Sequence, residues 1–216
     1  MVYSSMIPDG WEDFFITNST LIDCILDTII QSETTIHPKP ELVFEMFYRM
    51  HPDDIQLMLF NQEPYASHCP ITSIKHACGI PFAIPNECKI MPTMLQDIVK
   101  SLNGIIIDKQ LDSWIAQGVF LGSLAWTRGT KSHLLVWEEL TRNLVRWMCE
   151  HNNKIVFGLV GQRTWVLSEE VIRKNAVVKC EQIDFKKINE LMQNAFGTSI
   201  RWNSISQRND NAKLLP

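Results

Sequence analysis

The chain has 216 residues, a formal net charge of −4, 45% hydrophobic and 20% charged residues, a balance typical of globular proteins rather than of disordered or fibrous ones. Charge this close to neutral excludes a global basic field for nucleic acid, so any such partner has to be met by a local patch. No apolar run reaches the ~20 residues of a membrane span, and residues 1–10 lack the basic and apolar regions of a secretory signal, so an intracellular protein (cytoplasm, nucleoid or nucleus) with six reduced cysteines is expected.

In chain order, residues 1–20 read as an irregular segment that docks Trp11, Phe14 and Phe15 on the body. Leu21-Ile22, Ile25-Leu26 and Ile29-Ile30 repeat at helical spacing, with Ser19 or Thr20 as the cap. His37-Pro-Lys-Pro40 is a rigid extended loop, and Leu42, Val43, Met46, Phe47 and Met50 predict a second amphipathic helix. Ile55–Phe60 predicts a buried strand that stops at Asn61-Gln-Glu-Pro-Tyr65. Pro64 sets its own φ and biases Glu63 towards an extended backbone, so an amide, a carboxylate and a phenol share one stiff turn.

Residues 67–93 form a long irregular stretch rich in Pro, Cys and His, a length that is functional or disordered in most domains. Cys78–Pro85 within it is too apolar for a solvated linker. Helices are expected over Met94–Leu102 and near Leu111–Ala116, and a second strand over Val119–Trp126. Thr127–His133 is a polar loop with Arg128 and Lys131, followed by a long helix over 134–149. A third strand (154–160), a helix (164–174), a short fourth strand (176–179) and a last helix through Phe185 and Phe196 complete the pattern; the tail from Asn203 is polar and expected to be mobile.

Alternating strands and helices predict an α/β fold in three layers: a central, mostly parallel four-stranded sheet flanked by helices, in a single domain with no linker or repeat. Ligands of such sheets sit at the C-terminal ends of strands. There the loops bring Gln62, Glu63 and Tyr65 together with Ser123, Arg128, Gln162 and Arg163. His68, Cys69, His76 and Cys78 fall close together with Cys88 further on, but without a C-x-x-C pair or any common zinc or iron–sulfur spacing. Buried thiols and loop histidines are the simpler account, so neither a metal site nor a cofactor is expected.

The order of these motifs resembles the uracil-DNA glycosylase family over roughly residues 35 to 202. His37–Glu41 resembles its proline-rich loop, and Asn61-Gln-Glu-Pro-Tyr-Ala66 stands where that family has Gly-Gln-Asp-Pro-Tyr-His. Gly79-Ile-Pro-Phe82 matches the later Gly-Leu-x-Phe, Gln117-Gly-Val119 opens the strand that ends at a uracil-reading Asn, and Ser132-His133 with Trp137-Glu138 match its Ser-His and Trp-Glu. Gly158 and Gln162 fall in or beside the loop after the third strand. The resemblance implies a base-flipping pocket in which Phe82 stacks on the base, Gln62 and Tyr65 line it, and Glu63 supplies the catalytic carboxylate. It implies DNA as partner, with Lys39, Arg128, Lys131, His133, Gln162 and Arg163 as candidate phosphate contacts.

The departures from the family pattern are specific. Glu63 replaces the water-positioning Asp, Ala66 a His, and Ser123 the uracil-reading Asn; Leu159 follows Gly158 where a phosphate-contacting Ser is expected. The His-Pro-Ser-Pro segment, with its catalytic His and DNA-penetrating loop, is missing after the fourth strand. A Ser cannot make the two-point contact of an amide, and losing a buried edge-reading group relaxes specificity. Removing a donor to the departing base oxygen costs about 3 kcal/mol or more. Efficient excision of plain uracil is therefore not expected. Because Ser123 and Ala66 are small, an enlarged pocket is expected. The first reading is a glycosylase that excises a modified pyrimidine. The second is an inactive fold module that binds DNA or protein, as some viral relatives do in replication complexes, which a phage or viral source would favour. The third is another base-modifying activity on DNA.

Overall fold

Four short runs, three of them wholly buried, build the sheet of the computed structural model, which describes residues 7–103, 108–152, 154–171 and 175–203. They are β1 (Leu57–Asn61), β2 (Val119–Ser123), β3 (Val156–Val160) and β4 (Ala176–Cys180), all parallel in the order β2-β1-β3-β4. Parallel strands covered on both faces lose the polar alternation of a half-exposed strand, and β1, β2 and β3 are buried at every position.

The registers divide the side chains between the two faces. Phe60 pairs with Gly122 and Met58 with Phe120. That face meets helices α1 (Glu12–Thr17) and α3 (Glu45–Arg49), where Trp11, Phe14, Phe47 and Phe120 pack ring to ring with centroids 4.9–6.3 Å apart. Leu59 pairs with Gly158 on the other face, beneath Ile188 of α7 (Phe185–Phe196). Here Trp114 of the short α5 (Asp112–Ile115) packs against Phe185 and Trp202. The other helices are α2 (Ser19–Ser32), α4 (Thr93–Ser101) and α6 (Leu134–His151). Among the described residues no helix is long and apolar enough to cross a membrane.

Several boundaries differ from the sequence reading. The N-terminal segment docks Trp11 and Phe14 in the core but is helical, not irregular. Neither Ser19 nor Thr20 caps α2; Asn18 holds the cap position and its Nδ2 donates to the Phe14 carbonyl at 2.8 Å. The helix expected over 42–50 is broken into a 3-10 turn at Pro40–Leu42 and the short α3. Strand β2 ends at Ser123, not Trp126, whose indole N–H turns to donate to Thr141 of α6 at 3.0 Å. The helix expected over 164–174 is a 3-10 helix, Gln162–Glu169, while the tail from 204 lies outside the described residues. Arg142 and Arg146 clamp α6 to this 3-10 helix through Glu169 and Glu170 at 2.8–3.0 Å.

Candidate base-binding pocket at the sheet edge

The C-terminal ends of β1 and β2 lie side by side, so the register places Asn61 opposite Ser123. Both side chains are buried, at 2% and 1% exposure, and the Ser123 hydroxyl donates to Asn61 Oδ1 in a short hydrogen bond. This leaves the Asn61 amide N–H with only a long 3.5 Å contact to the Glu63 carbonyl. After the strand the chain turns but keeps pairing: the amides of Leu124 and Ala125 donate to the Asn61 and Gln62 carbonyls, each at 2.9 Å. The turn is thereby held by main-chain bonds.

Asn61 and Ser123 form one end of a pocket walled by Pro38, Tyr65, Phe82 and Trp126. The Tyr65 hydroxyl donates to the Phe82 carbonyl at 2.9 Å, and burial pushes the phenol well above its ordinary range. Phe82 is fully buried and has a φ of +67°. A bulky residue in the left-handed region is costly and is held there only by its surroundings, a pattern that concentrates at binding sites. Gly79 makes the turn possible: at φ +89° a Cβ would lie 2.4 Å from the Leu42 carbonyl oxygen.

The enclosed space is about 20 Å³, enough for about one water molecule. The enlarged pocket expected from Ser123 and Ala66 is absent. Asn61 reaches in from the neighbouring strand and occupies the room that Ser123 leaves, and Ala66 lies outside, on a groove of about 510 Å³ that also runs along Glu63, Arg128, Gly161 and Glu181. A cavity of about 950 Å³ along His51, Gln56 and Gly118 lies at the opposite end of the strands.

Glu63 stands between pocket and groove, fully engaged. Its Oε1 is 2.7 Å from Arg128 Nη1, and its Oε2 accepts from the Ser132 hydroxyl at 2.7 Å. Arg128 is positioned by its backbone, which exchanges two hydrogen bonds with His37 at 2.7 and 2.8 Å and so ties the proline-rich loop to the loop after β2. Gln62 packs against Gly161, at φ +84°, so closely that a Cβ there would lie 2.4 Å from Gln62 Nε2.

The candidate phosphate contacts separate into two groups. Lys39 and Lys131 are exposed on the loops of this edge, and Arg163 is exposed at the start of the 3-10 helix after β3. Gln162 is exposed too but donates to Glu181 at 2.6 Å, and Arg128 is taken up by Glu63. His133 is buried at 5% exposure, with Nδ1 2.9 Å from the Thr127 hydroxyl and Nε2 facing Glu33 at 3.8 Å. Its expected place on the DNA-facing surface is therefore corrected: the Trp137 indole N–H donates to the same Thr127 hydroxyl, drawing the ring inward, and Glu33 covers its outer nitrogen. Burial holds His133 below the usual histidine value.

Sequence reasoning missed Asn61 as a pocket-lining group. The visible signal was an Asn at the position of the family's Gly, but its neighbour across the sheet could not be read from one strand. The metal-capable residues also sort differently from the sequence grouping. His68 is exposed and stacks edge-on against His37, and Cys78 lines the pocket, where burial pushes its thiol up to about 11. Cys69, His76 and Cys88 converge behind Tyr65, whose ring lies 6.3 Å from that of His76, with their ligand atoms within 4.8 Å of one another.

Comparison with known proteins agrees with the geometry. The chain is 26% identical over 175 residues to a probable uracil-DNA glycosylase of Acanthamoeba polyphaga mimivirus, covering 74% of this chain and 47% of that protein. It is 32% identical over 157 residues to a uracil-DNA glycosylase of Haemophilus influenzae, covering 68% of each. The chain thus spans about half the length of the mimivirus relative. The crystal structure of mimivirus uracil-DNA glycosylase superposes with a TM-score of 0.75 over 91% of this chain and 87% of that one, at 22% identity. No protein-family model matches.

Proposed function

This chain belongs to the uracil-DNA glycosylase superfamily, and from that premise we propose that it is a DNA N-glycosylase for a flipped pyrimidine of uracil size. Glu63 is the catalytic carboxylate, Asn61 reads the base edge, and Phe82 and Tyr65 form the walls. The observation that carries this reading is the Asn61–Ser123 pair. An amide is back at the end of the pocket, supplied by β1 instead of β2. With its oxygen held by Ser123 and its N–H in only a 3.5 Å contact with the Glu63 carbonyl, the amide can donate to O4 of uracil, where cytosine carries an amino group.

The reaction breaks the bond between the sugar C1′ and the base nitrogen; the hydroxyl of a water goes to C1′ and its proton to the departing base. Glu63 stabilises the cationic sugar or orients the water, and Arg128 and Ser132 hold its carboxylate in place. A side chain one methylene longer than Asp has to settle into this geometry, and displacements of about 1 Å cost about a hundredfold in rate. Turnover is accordingly slow. A bulky 5-substituent is disfavoured because Tyr65 is anchored to the Phe82 carbonyl, so the modified pyrimidine favoured from sequence gives way to uracil itself or a base as slender. The pocket has to open from its present volume to admit any base. Lys39, Lys131 and Arg163 are placed to meet phosphates around it.

A second reading is favoured by two observations: the carboxylate is fully paired and the pocket is closed. Both suit a module that binds DNA or protein without chemistry. Incubation with single-stranded and duplex oligonucleotides carrying uracil or 5-substituted uracils, followed by alkaline cleavage, separates the two. Uracil-dependent cleavage that is lost in Glu63→Gln supports the enzyme. No cleavage of any substrate, with DNA binding retained, would sink it in favour of the module.

A further inference from the structure

We propose that Cys69, His76 and Cys88 bind one zinc-type divalent cation that pins the loop carrying Phe82. The three ligand atoms are buried and lie within 4.8 Å of one another. Ligands about 2.3 Å from a tetrahedral zinc lie about 3.8 Å apart, so each pair has to draw in by at most about 1 Å. Two sulfurs and an imidazole select zinc over the hard cations that prefer all-oxygen shells.

The surroundings are arranged as a second shell. Backbone N–H groups of Ile71, Thr72 and Ile90 point at the Cys69 sulfur, as they do for a metal-bound thiolate. His76 Nδ1 is 2.9 Å from the Ser67 hydroxyl and Nε2 is 3.0 Å from the Ile90 carbonyl. Since a carbonyl only accepts, Nε2–H donates to Ile90 here and the Ser67 hydroxyl donates to Nδ1; on binding the imidazole proton moves to Nδ1, Ser67 turns to accept it, and the Nε2 lone pair becomes free for the cation. Binding then displaces the thiol protons, and Ile90 gives up its hydrogen bond from the ring. The buried Thr72 hydroxyl lies beside the Cys69 sulfur and hydrogen-bonds to it. It and the Ile90 carbonyl are the oxygens at hand for the fourth position.

The position explains what such an ion would do. Residues 67–76 form a tight hairpin, with Cys69 N–H donating to the Ile74 carbonyl at 2.8 Å and His76 N–H to the Ser67 carbonyl at 3.1 Å. Cys88 lies on the far side of the Gly79–Phe82 turn. The ion would close that loop between its two ends, where no regular secondary structure does so. It touches neither Glu63 nor Asn61, so the proposal stands apart from the glycosylase reading.

The test uses the full chain expressed with zinc in the medium, metal content by mass spectrometry, and cobalt titration of chelator-stripped protein. One zinc per chain is expected, with a sulfur-to-cobalt charge-transfer band on titration. Both are lost in Cys69→Ser and Cys88→Ser and kept in the control Cys180→Ser. Stripping should lower the melting temperature of the wild type by several degrees, reversed by added zinc. Absence of zinc together with absence of the cobalt band in the wild type would overturn the proposal, whether or not the variants fold. So would recovery of Cys69 and Cys88 as a disulfide from freshly purified protein.

Discussion

In the proposed reading Asn61 and Glu63 share the chemistry, two positions apart at the end of β1, and the structure gives them different constraints. Asn61 is buried and held through its oxygen, so truncation removes the donor and leaves the Ser123 hydroxyl without its acceptor. In Asn61→Ala, kcat/KM on uracil-containing DNA should fall by about a hundredfold or more, and discrimination against cytosine should narrow; steady-state cleavage of matched uracil and cytosine oligonucleotides reads both. Glu63→Gln keeps the shape and the Ser132 bond but removes the charge opposite Arg128. Its kcat should drop by about 10² to 10³ with DNA affinity nearly unchanged, because the carboxylate acts on the transition state rather than on the bound duplex. A parallel loss of affinity would place Glu63 in binding instead.

At the scale of elements, the turn from Gly79 to Phe82 positions the pocket wall, and its conformation is enforced by close packing. Gly79→Ala has to move either the Leu42 carbonyl or its own left-handed backbone. It should lower stability by about 1–3 kcal/mol in urea denaturation. The same change should weaken base excision more than DNA binding, because Phe82 moves with the turn. This edge also places Lys131 and Arg163 in solvent. If both touch phosphates, the double variant Lys131→Ala/Arg163→Ala should flatten the plot of log affinity against log salt by about two. Fluorescence anisotropy across a salt series measures it, and an unchanged slope rules these two out.

For the molecule as a whole, the histidine and carboxylate part of the pH profile of stability comes from four groups whose protonation differs between folded and unfolded states. Burial lowers His37 and His133 below 6.5, so the folded protein binds their protons less readily than the unfolded chain. Their contribution is complete above pH 6.5 and is lost as pH falls towards the folded values. Glu33 is held below 4.5 first by the Thr130 hydroxyl; burial would raise Glu170, but bonds from Arg142 and Arg146 outweigh it. Their contribution is complete above pH 4.5 and is lost below it. These groups should therefore make the melting temperature fall in a first step below pH 6.5 and in a second below 4.5. His133→Asn should shrink the first step only.

Much of this was written locally. Apolar runs too short for helices and free of polar alternation named the strands, and the ordered motifs from His37 to Gln162 named the fold. What a residue offers chemically was also legible at Glu63, Tyr65 and Phe82. Partnerships across the sheet were not, because they depend on register between segments far apart in the chain. Ser123 alone reads as a lost base contact, and only its pairing with Asn61, 62 positions away, shows an amide taking the vacated space. His133 beside a polar loop reads as surface, and only Trp137 and Glu33 draw it inside. Cys69, His76 and Cys88 match no ligand spacing, yet the folded loop brings them within reach of one ion. Local pattern determines what each segment can become, because propensity and burial act on neighbours in the chain. Tertiary packing decided which groups meet, because distance in space is set by how the segments stack.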